Sequence, residues 1–184
     1  MRIIGGSAKG VRLGAVPPGT RPVADRAREG LFSSLGERVV GSVVLDLYAG
    51  TGALGIEALS RGAIEATFVD QARASTKAVR ENLTRTPFPA KGTVITSEVL
   101  LYLRKPAERT ADVVFADPPY EQDAGTIEPM LRELATGHLA EAFTVVLTRG
   151  KGTAAPSVPL HWAVARQLHY GDSLVFLYRE VGWA

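Results

Sequence analysis

The chain has 184 residues, 46% of them apolar and 22% charged, with a formal net charge of +2, which is the make-up of one globular domain with a core large enough to fold alone. No run approaches the ~18–20 consecutive apolar residues of a membrane span, and Met1-Arg2-Ile3-Ile4-Gly5-Gly6 lacks the apolar stretch of a signal peptide, so a cytoplasmic location and no membrane partner are expected. Cysteine is absent, which excludes disulfides, thiolate metal sites and reactions that need a cysteine nucleophile, C5 methylation of cytosine among them.

Charge is unevenly placed. Residues 1–38 hold seven Arg/Lys against three Asp/Glu, a net of +4, and the remainder nets −2. A basic leading segment on a mildly acidic body fits a polyanionic partner. Residues 1–22 read as a hairpin arm, with short strands at Ile3-Ile4 and Val11–Leu13 around Gly5-Gly6-Ser7-Ala8-Lys9-Gly10, closed by Pro17-Pro18-Gly19 and Pro22. The main domain, 23–184, opens with apolar Val23, Ala27, Leu31 and Leu35 at every fourth position, which predicts an amphipathic helix.

An alternation of strands and helices follows. The expected strands are Val43–Leu47, Ala66–Asp70, Thr93–Thr96, Asp112–Ala116 and Phe143–Thr148. The expected helices between them are Ala53–Ser60, Ala72–Thr84, Val99–Arg104 and Ile127–Ala135. Two final β runs, His161–His169 and Ser173–Arg179, read as a hairpin turned at Tyr170-Gly171-Asp172. The pattern predicts an α/β fold: a mostly parallel sheet with helices on both faces and an antiparallel C-terminal edge hairpin.

Two motifs carry chemistry. Asp46-Leu47-Tyr48-Ala49-Gly50-Thr51-Gly52-Ala53-Leu54-Gly55 leaves the first strand and opens a helix, and its glycines let the backbone approach a ligand. Gly50, Gly52 and Gly55, with Asp70 twenty residues on, also fit a dinucleotide fingerprint, so an NAD-binding oxidoreductase stays open on the glycines alone. Asp46 favours an ammonium group over a pyrophosphate at that strand end. Asp70 suits the two hydroxyls of a ribose, or the cap of the helix that follows it. Glu98, after the third strand, is in reach of an adenine amino group or serves a helix start.

Asp117-Pro118-Pro119-Tyr120 ends the fourth strand. A carboxylate and a proline-fixed carbonyl can bind both hydrogens of a planar NH2 group and aim its lone pair, while the tyrosine stacks on the ring. The carboxyl ends of parallel strands are where such folds bind ligands. The chemistry that fits is methyl transfer from S-adenosyl-L-methionine to an exocyclic amine. His138, His161 and His169 lack metal-ligand spacing and read as structural, as do Trp162 and Trp183, and no metal site is expected.

The order of these motifs resembles the bacterial RsmD-type 16S ribosomal RNA guanine-N2 methyltransferases over nearly the whole chain. The matching segments are Met1–Gly6, Gly10–Leu13, Arg21-Pro22 through Glu29 with Leu31-Phe32, Asp46–Gly55, Glu57–Ala63, Asp117–Tyr120 and Tyr170–Asp172. The chain departs from the family at Val23-Ala24, where threonine is usual, and at Glu98, where aspartate is common. The resemblance implies a Rossmann-like class I S-adenosyl-L-methionine-dependent methyltransferase with an N-terminal hairpin arm. Its substrate is 16S rRNA, within a 30S subunit or an assembly intermediate, and the chain is expected to act as a monomer. Asp117, Pro118, Pro119 and Tyr120 would hold the guanine. Asp46, Tyr48, Gly50, Gly52, Asp70, Gln71, Glu98 and Val99 would line the cofactor. Arg2, Lys9, Arg12, Arg21, Arg26 and Arg28 would meet phosphates, with Asp25 and Glu29 as competing ion-pair partners. Adenine-N6 methylation of DNA and methylation of a protein glutamine use the same amine chemistry and are the alternatives.

Overall fold

The computed structural model describes residues 1–14, 25–119 and 124–182. Its strands are β1 (Val43–Leu47), β2 (Glu65–Asp70), β3 (Gly92–Thr96), β4 (Ala111–Ala116), β5 (Leu139–Gly150), β6 (Trp162–Tyr170) and β7 (Ser173–Glu180). Its helices are α1 (Asp25–Leu35), α2 (Ala53–Ser60), α3 (Arg73–Thr84), α4 (Val99–Leu103) and α5 (Ala124–Ala135). Among the described residues the strands form one sheet in the order β3-β2-β1-β4-β5-β7-β6. β1 to β5 run parallel, and β7 is antiparallel to both β5 and β6.

The sequence pattern explains this layering. β1 and β4 are nearly all apolar because both faces are covered. Leu31, Phe32 and Leu35 of α1, Ile56 and Leu59 of α2, and Val79 and Leu83 of α3 pack with Phe68 and Phe115 on one face. Val99 and Leu103 of α4 and Ile127, Met130, Leu131 and Leu134 of α5 pack with Leu47, Val114 and Val145 on the other. β6 is one edge strand of the sheet, opposite β3, and is largely exposed. It folds back on β7 through Gly171, whose φ of 57° suits a two-residue turn. β5 runs longer than its apolar core, because Leu139–Ala142 continue it before Phe143. No described helix is long and apolar enough to cross a membrane.

Residues 1–14 pair as a hairpin only briefly. They share one antiparallel bridge, Arg2 with Arg12, flanked by Ile3 N–H to Val11 O at 2.9 Å and Gly10 N–H to Ile3 O at 2.9 Å. Leu13 N–H donates to Met1 O at 3.0 Å across the same pair, and several of the remaining backbone groups turn to α2. Ile4 and Gly5 N–H donate to the two Glu57 oxygens, each at 2.8 Å, and Ser7 N–H donates to Ser60 O at 2.7 Å. Ile3, Ala8 and Leu13 are buried in the same core as α1 and α2. Gly6, at φ 77°, is set so close to the Ser60 carbonyl that any side chain would collide with it.

Candidate active site and nucleic-acid interface

The sheet order reverses between β1 and β4, so a crevice opens at their carboxyl ends. Register fills it. Leu47 pairs with Val69 and Ala116, Asp70 pairs with Thr96, and Ala116 pairs with Leu147. The residues at or just past those pairs are therefore neighbours: Tyr48 and Asp117 at the centre, Asp70, Ser97 and Glu98 on one side, Thr148 on the other.

The glycine loop is held from several directions. Tyr48 adopts φ 57°, left-handed geometry unusual for a tyrosine, and Gly50 and Gly52 follow at 55° and 76°. Gly50 N–H donates to Asp70 Oδ2 at 2.9 Å, and Asn82 Nδ2 donates to Thr51 O at 2.9 Å. Gly52 is the N-cap of α2. Gly55 N–H donates to Asp46 Oδ2 at 2.8 Å. A Cβ at Gly55 would overlap the Phe68 ring and stand 3.0 Å from that same oxygen, so the position excludes larger residues.

Acids dominate the crevice. Asp46 is 2% exposed, and its pKa is raised well above the carboxylate range. Burial is the main cause. The Gly55 hydrogen bond opposes it, and the charges of Asp117 and Asp70 add to it. Asp117 is pushed up to about 6 by burial, against a hydrogen bond from the Thr148 hydroxyl. Tyr48 is pushed up to about 12 by burial and then by the charge of Glu98. Among the described residues, no Lys, Arg or His forms an ion pair with Asp46, Asp70, Glu98 or Asp117.

The other site residues sort by environment. Asp70 shapes the turn that leads into α3, since Oδ1 accepts the N–H of Ala72, the N-cap residue, at 2.8 Å, while α3 itself has no side-chain cap bond. Each of its oxygens keeps a second lone pair. Glu98 is the exposed N-cap of α4, with no side-chain cap bond. Val99 buries its side chain in the core, leaving its backbone as the part able to meet a ligand, while Gln71 is exposed. Pro118 is buried and Pro119 exposed, and Tyr120 lies outside the described residues. His138 is structural, with Nε2 2.8 Å from Leu103 O, and Trp162 packs on Phe143 and Tyr178. Trp183 lies outside the described residues.

The basic surface needs one correction. Arg2, Lys9, Arg12 and Arg26 are exposed, and Arg21 lies outside the described residues. Arg28 is fully buried, so it is not placed to meet phosphate. Its Nη2 donates to Arg2 O and to Asp25 Oδ1, both at 2.7 Å, so it ties α1 to the N-terminal segment. Arg2 also faces Asp25, at 3.6 Å.

Three residues escaped the motif reading. Thr148 supports Asp117. Asn82 holds Thr51 O and also accepts Gly14 N–H at 2.7 Å, which links the glycine loop to the N-terminal segment. Glu57 anchors Ile4 and Gly5. The signal for the last two was a polar residue on an apolar helix face; Thr148 gave none, because a threonine in a strand is ordinary.

A doubly wound sheet with an acid-lined crevice and a glycine loop after β1 defines a Rossmann-like class I methyltransferase fold. The chain belongs to the RsmD-type family, whose sequence family, described as "Conserved hypothetical protein 95", matches residues 1–179. It is 35% identical over 183 residues to "Ribosomal RNA small subunit methyltransferase D" of Escherichia coli (strain K12), covering 98% of this chain and 90% of that one. The solved structure of yhhF from Escherichia coli superposes with a TM-score of 0.88 at 34% identity, covering 98% of this chain and 97% of that one. SMU.776, solved in complex with SAH, gives a TM-score of 0.66 at 18% identity over 80% of this chain and 48% of its own, a likeness of fold.

Proposed function

We propose that this protein is an S-adenosyl-L-methionine-dependent methyltransferase of small-subunit ribosomal RNA that modifies the exocyclic N2 of a guanine in 16S rRNA. One observation carries the reading: four carboxylates, two of them with raised pKa, converge at the carboxyl edge without a basic partner among the described residues. Such a site calls for a cationic ligand. S-adenosyl-L-methionine fits, because its ammonium would neutralise Asp46 and its ribose would use the free lone pairs of Asp70. Tyr48, Gly50, Gly52, Gln71, Glu98 and the Val99 backbone would complete its contacts. When bound, it supplies a methyl group already activated on a sulfonium.

The chain's own work is then positioning and electrostatics. The Asp117 carboxylate and the Pro118 carbonyl accept the two N–H groups of the guanine amine, so its lone pair points at the methyl. Pro119 stiffens the turn, and Tyr120 stacks on the base. As the N–C bond would form and the methyl–sulfur bond break, with S-adenosylhomocysteine as the leaving group, Asp117 would face the developing positive charge and the surplus proton would leave to Asp117 or to water. A stacked base must first swing out of its neighbours. Arg2, Lys9, Arg12 and Arg21, on a 1–22 arm, and Arg26, on α1, meet the RNA backbone. The substrate is the RNA within a small subunit or an assembly intermediate, met by a monomer in the cytoplasm.

The experiment is transfer of label from S-adenosyl-L-methionine to 16S rRNA and to small-subunit particles that lack their methylation, followed by nucleoside analysis. Label in N2-methylguanosine is the expected result. Label in another nucleoside, or acceptance only by DNA or protein, overturns the guanine assignment.

A further inference from the structure

A second basic surface lies where α1 meets the C-terminal hairpin. α1 runs along β6: Gly30 sits so tightly on Tyr170 that a Cβ would overlap the phenol hydroxyl, and four residues on, Ser34 Oγ accepts Arg166 Nη1 at 3.3 Å. Four residues further, Arg38 belongs to the 3-10 turn Gly36–Val39. Arg38, Ser42, Asp112 and Thr144 line a cavity of about 230 Å³. Val145 pairs with Tyr178, which sets Thr144 opposite Arg179 on the same face of the sheet.

This corner is cationic and under-satisfied. Thr144 is 1% exposed, yet its Oγ1 has no hydrogen-bond partner, and the Arg179 Nε is likewise buried without one. Burial, followed by the charges of Arg38 and Arg166, pushes the Arg179 pKa down, so Arg179 stands in the repulsive field of both other guanidiniums. None of the three forms an ion pair among the described residues. Asp112, the acid in the cavity wall, spends Oδ2 on Val43 N–H at 2.8 Å. A bound anion would relieve the repulsion and offer acceptors to the free N–H and O–H donors.

We propose that Arg38, Arg166 and Arg179 hold a backbone phosphate of the RNA substrate, as a contact separate from residues 1–22. The proposal rests on the ribosomal RNA reading above. Arg166 pairs with Leu177, Leu177 with Val146, and Val146 with Phe115, so it stands three strands from β4. At ~4.8 Å per strand that is roughly 15 Å across the sheet, and Val113, which pairs with Thr144, lies about 13 Å before Asp117 along β4, so RNA leaving Asp117 reaches the cluster over roughly 20 Å, several nucleotides of extended strand.

The test is binding of a 16S rRNA fragment across a salt series, with S-adenosylhomocysteine affinity measured alongside. Arg166→Gln changes an exposed side chain and leaves the core intact; Arg38→Gln is added to it as a second variant. Each lost phosphate contact should flatten the slope of log K against log salt by about 0.7. We expect weaker RNA binding at low salt, about tenfold in the double variant, with S-adenosylhomocysteine affinity unchanged. Slopes and affinities equal to the parent's overturn this site while leaving the RNA reading intact. A parent protein that neither binds nor methylates the RNA overturns the reading and this site together.

Discussion

Two buried carboxylates show how differently one charge is handled in two regions. Glu57, fully buried in α2, receives the N–H groups of Ile4 and Gly5 and the Arg61 Nε, each at 2.8 Å. Asp46, almost as buried at the end of β1, receives the Gly55 N–H and otherwise faces Asp70 and Asp117. A buried carboxylate is stable when its lone pairs and charge are matched, and costly when they are not. The Glu57 region is complete in itself. The Asp46 region is complete only with a cationic ligand, and this separates a structural acid from a binding one.

The contrast can be broken by substitution. Asp117→Ala removes an acceptor for the reacting amine, and kcat should fall by about 10²- to 10⁴-fold with S-adenosylhomocysteine affinity nearly unchanged. Activity surviving this change would remove Asp117 from the reaction. Asp117→Asn tests the electrostatic side. The folded-state pKa of about 6 lies above the ordinary value, so the folded chain binds more protons than the unfolded one between about pH 4 and 6. Stability therefore falls as pH rises through that window, and the penalty is full above it. At pH 7.5 the asparagine variant should be inactive yet more stable, by on the order of 1 kcal/mol after discounting for partial exposure.

Asp46→Asn should weaken cofactor binding about 10- to 100-fold, since a charged hydrogen bond carries ~1.5–3 kcal/mol. Titration calorimetry would read this, and the melting temperature of the free protein should hold or rise. Glu57→Gln should do the reverse. The amide cannot accept both backbone N–H groups or pair with Arg61, so stability should drop by ~1–3 kcal/mol, several degrees in Tm, with methyl transfer at low temperature near the parent's. Equal effects of the two substitutions on ligand affinity would erase the distinction between the regions.

The legible parts of the sequence were those where the local pattern and the fold agree. The apolar runs of β1 and β4, the glycines after β1 and Asp117-Pro118-Pro119 after β4 announce their positions, because burial and turn chemistry leave few alternatives. Arg28 was misread because an arginine among exposed charges gives no sign that a tertiary partner will bury it; that needs Arg2 O in place. The N-terminal segment was read as a hairpin, and its two arms do pair through Met1, Ile3, Gly10, Val11 and Leu13, but Ile4, Gly5 and Ala8 turn their N–H groups to Glu57 and Ser60, more than fifty residues away, which no local pattern announces. Asp70 resisted a single role because it holds the turn before α3 and braces Gly50 at once.

The smallest effect isolates a residue that sequence could not flag. Thr148 stands beside Asp117 only because β5 pairs with β4 in the register that aligns Leu147 with Ala116. Its hydroxyl donates to the Asp117 carboxylate and so opposes the effect of burial. Thr148→Val removes a hydrogen bond worth ~1 kcal/mol, less than one pKa unit, and should carry the Asp117 pKa further above about 6. A protonated Asp117 accepts less well from the amine, so the acid limb of the rate profile should move to higher pH. Transfer at pH 6 should fall a few-fold, while transfer at pH 8 stays near the parent's, and Thr148→Ser should restore the original limb. A valine variant with an unmoved limb would mean that Thr148 supports the strand and does not tune the acid beside it.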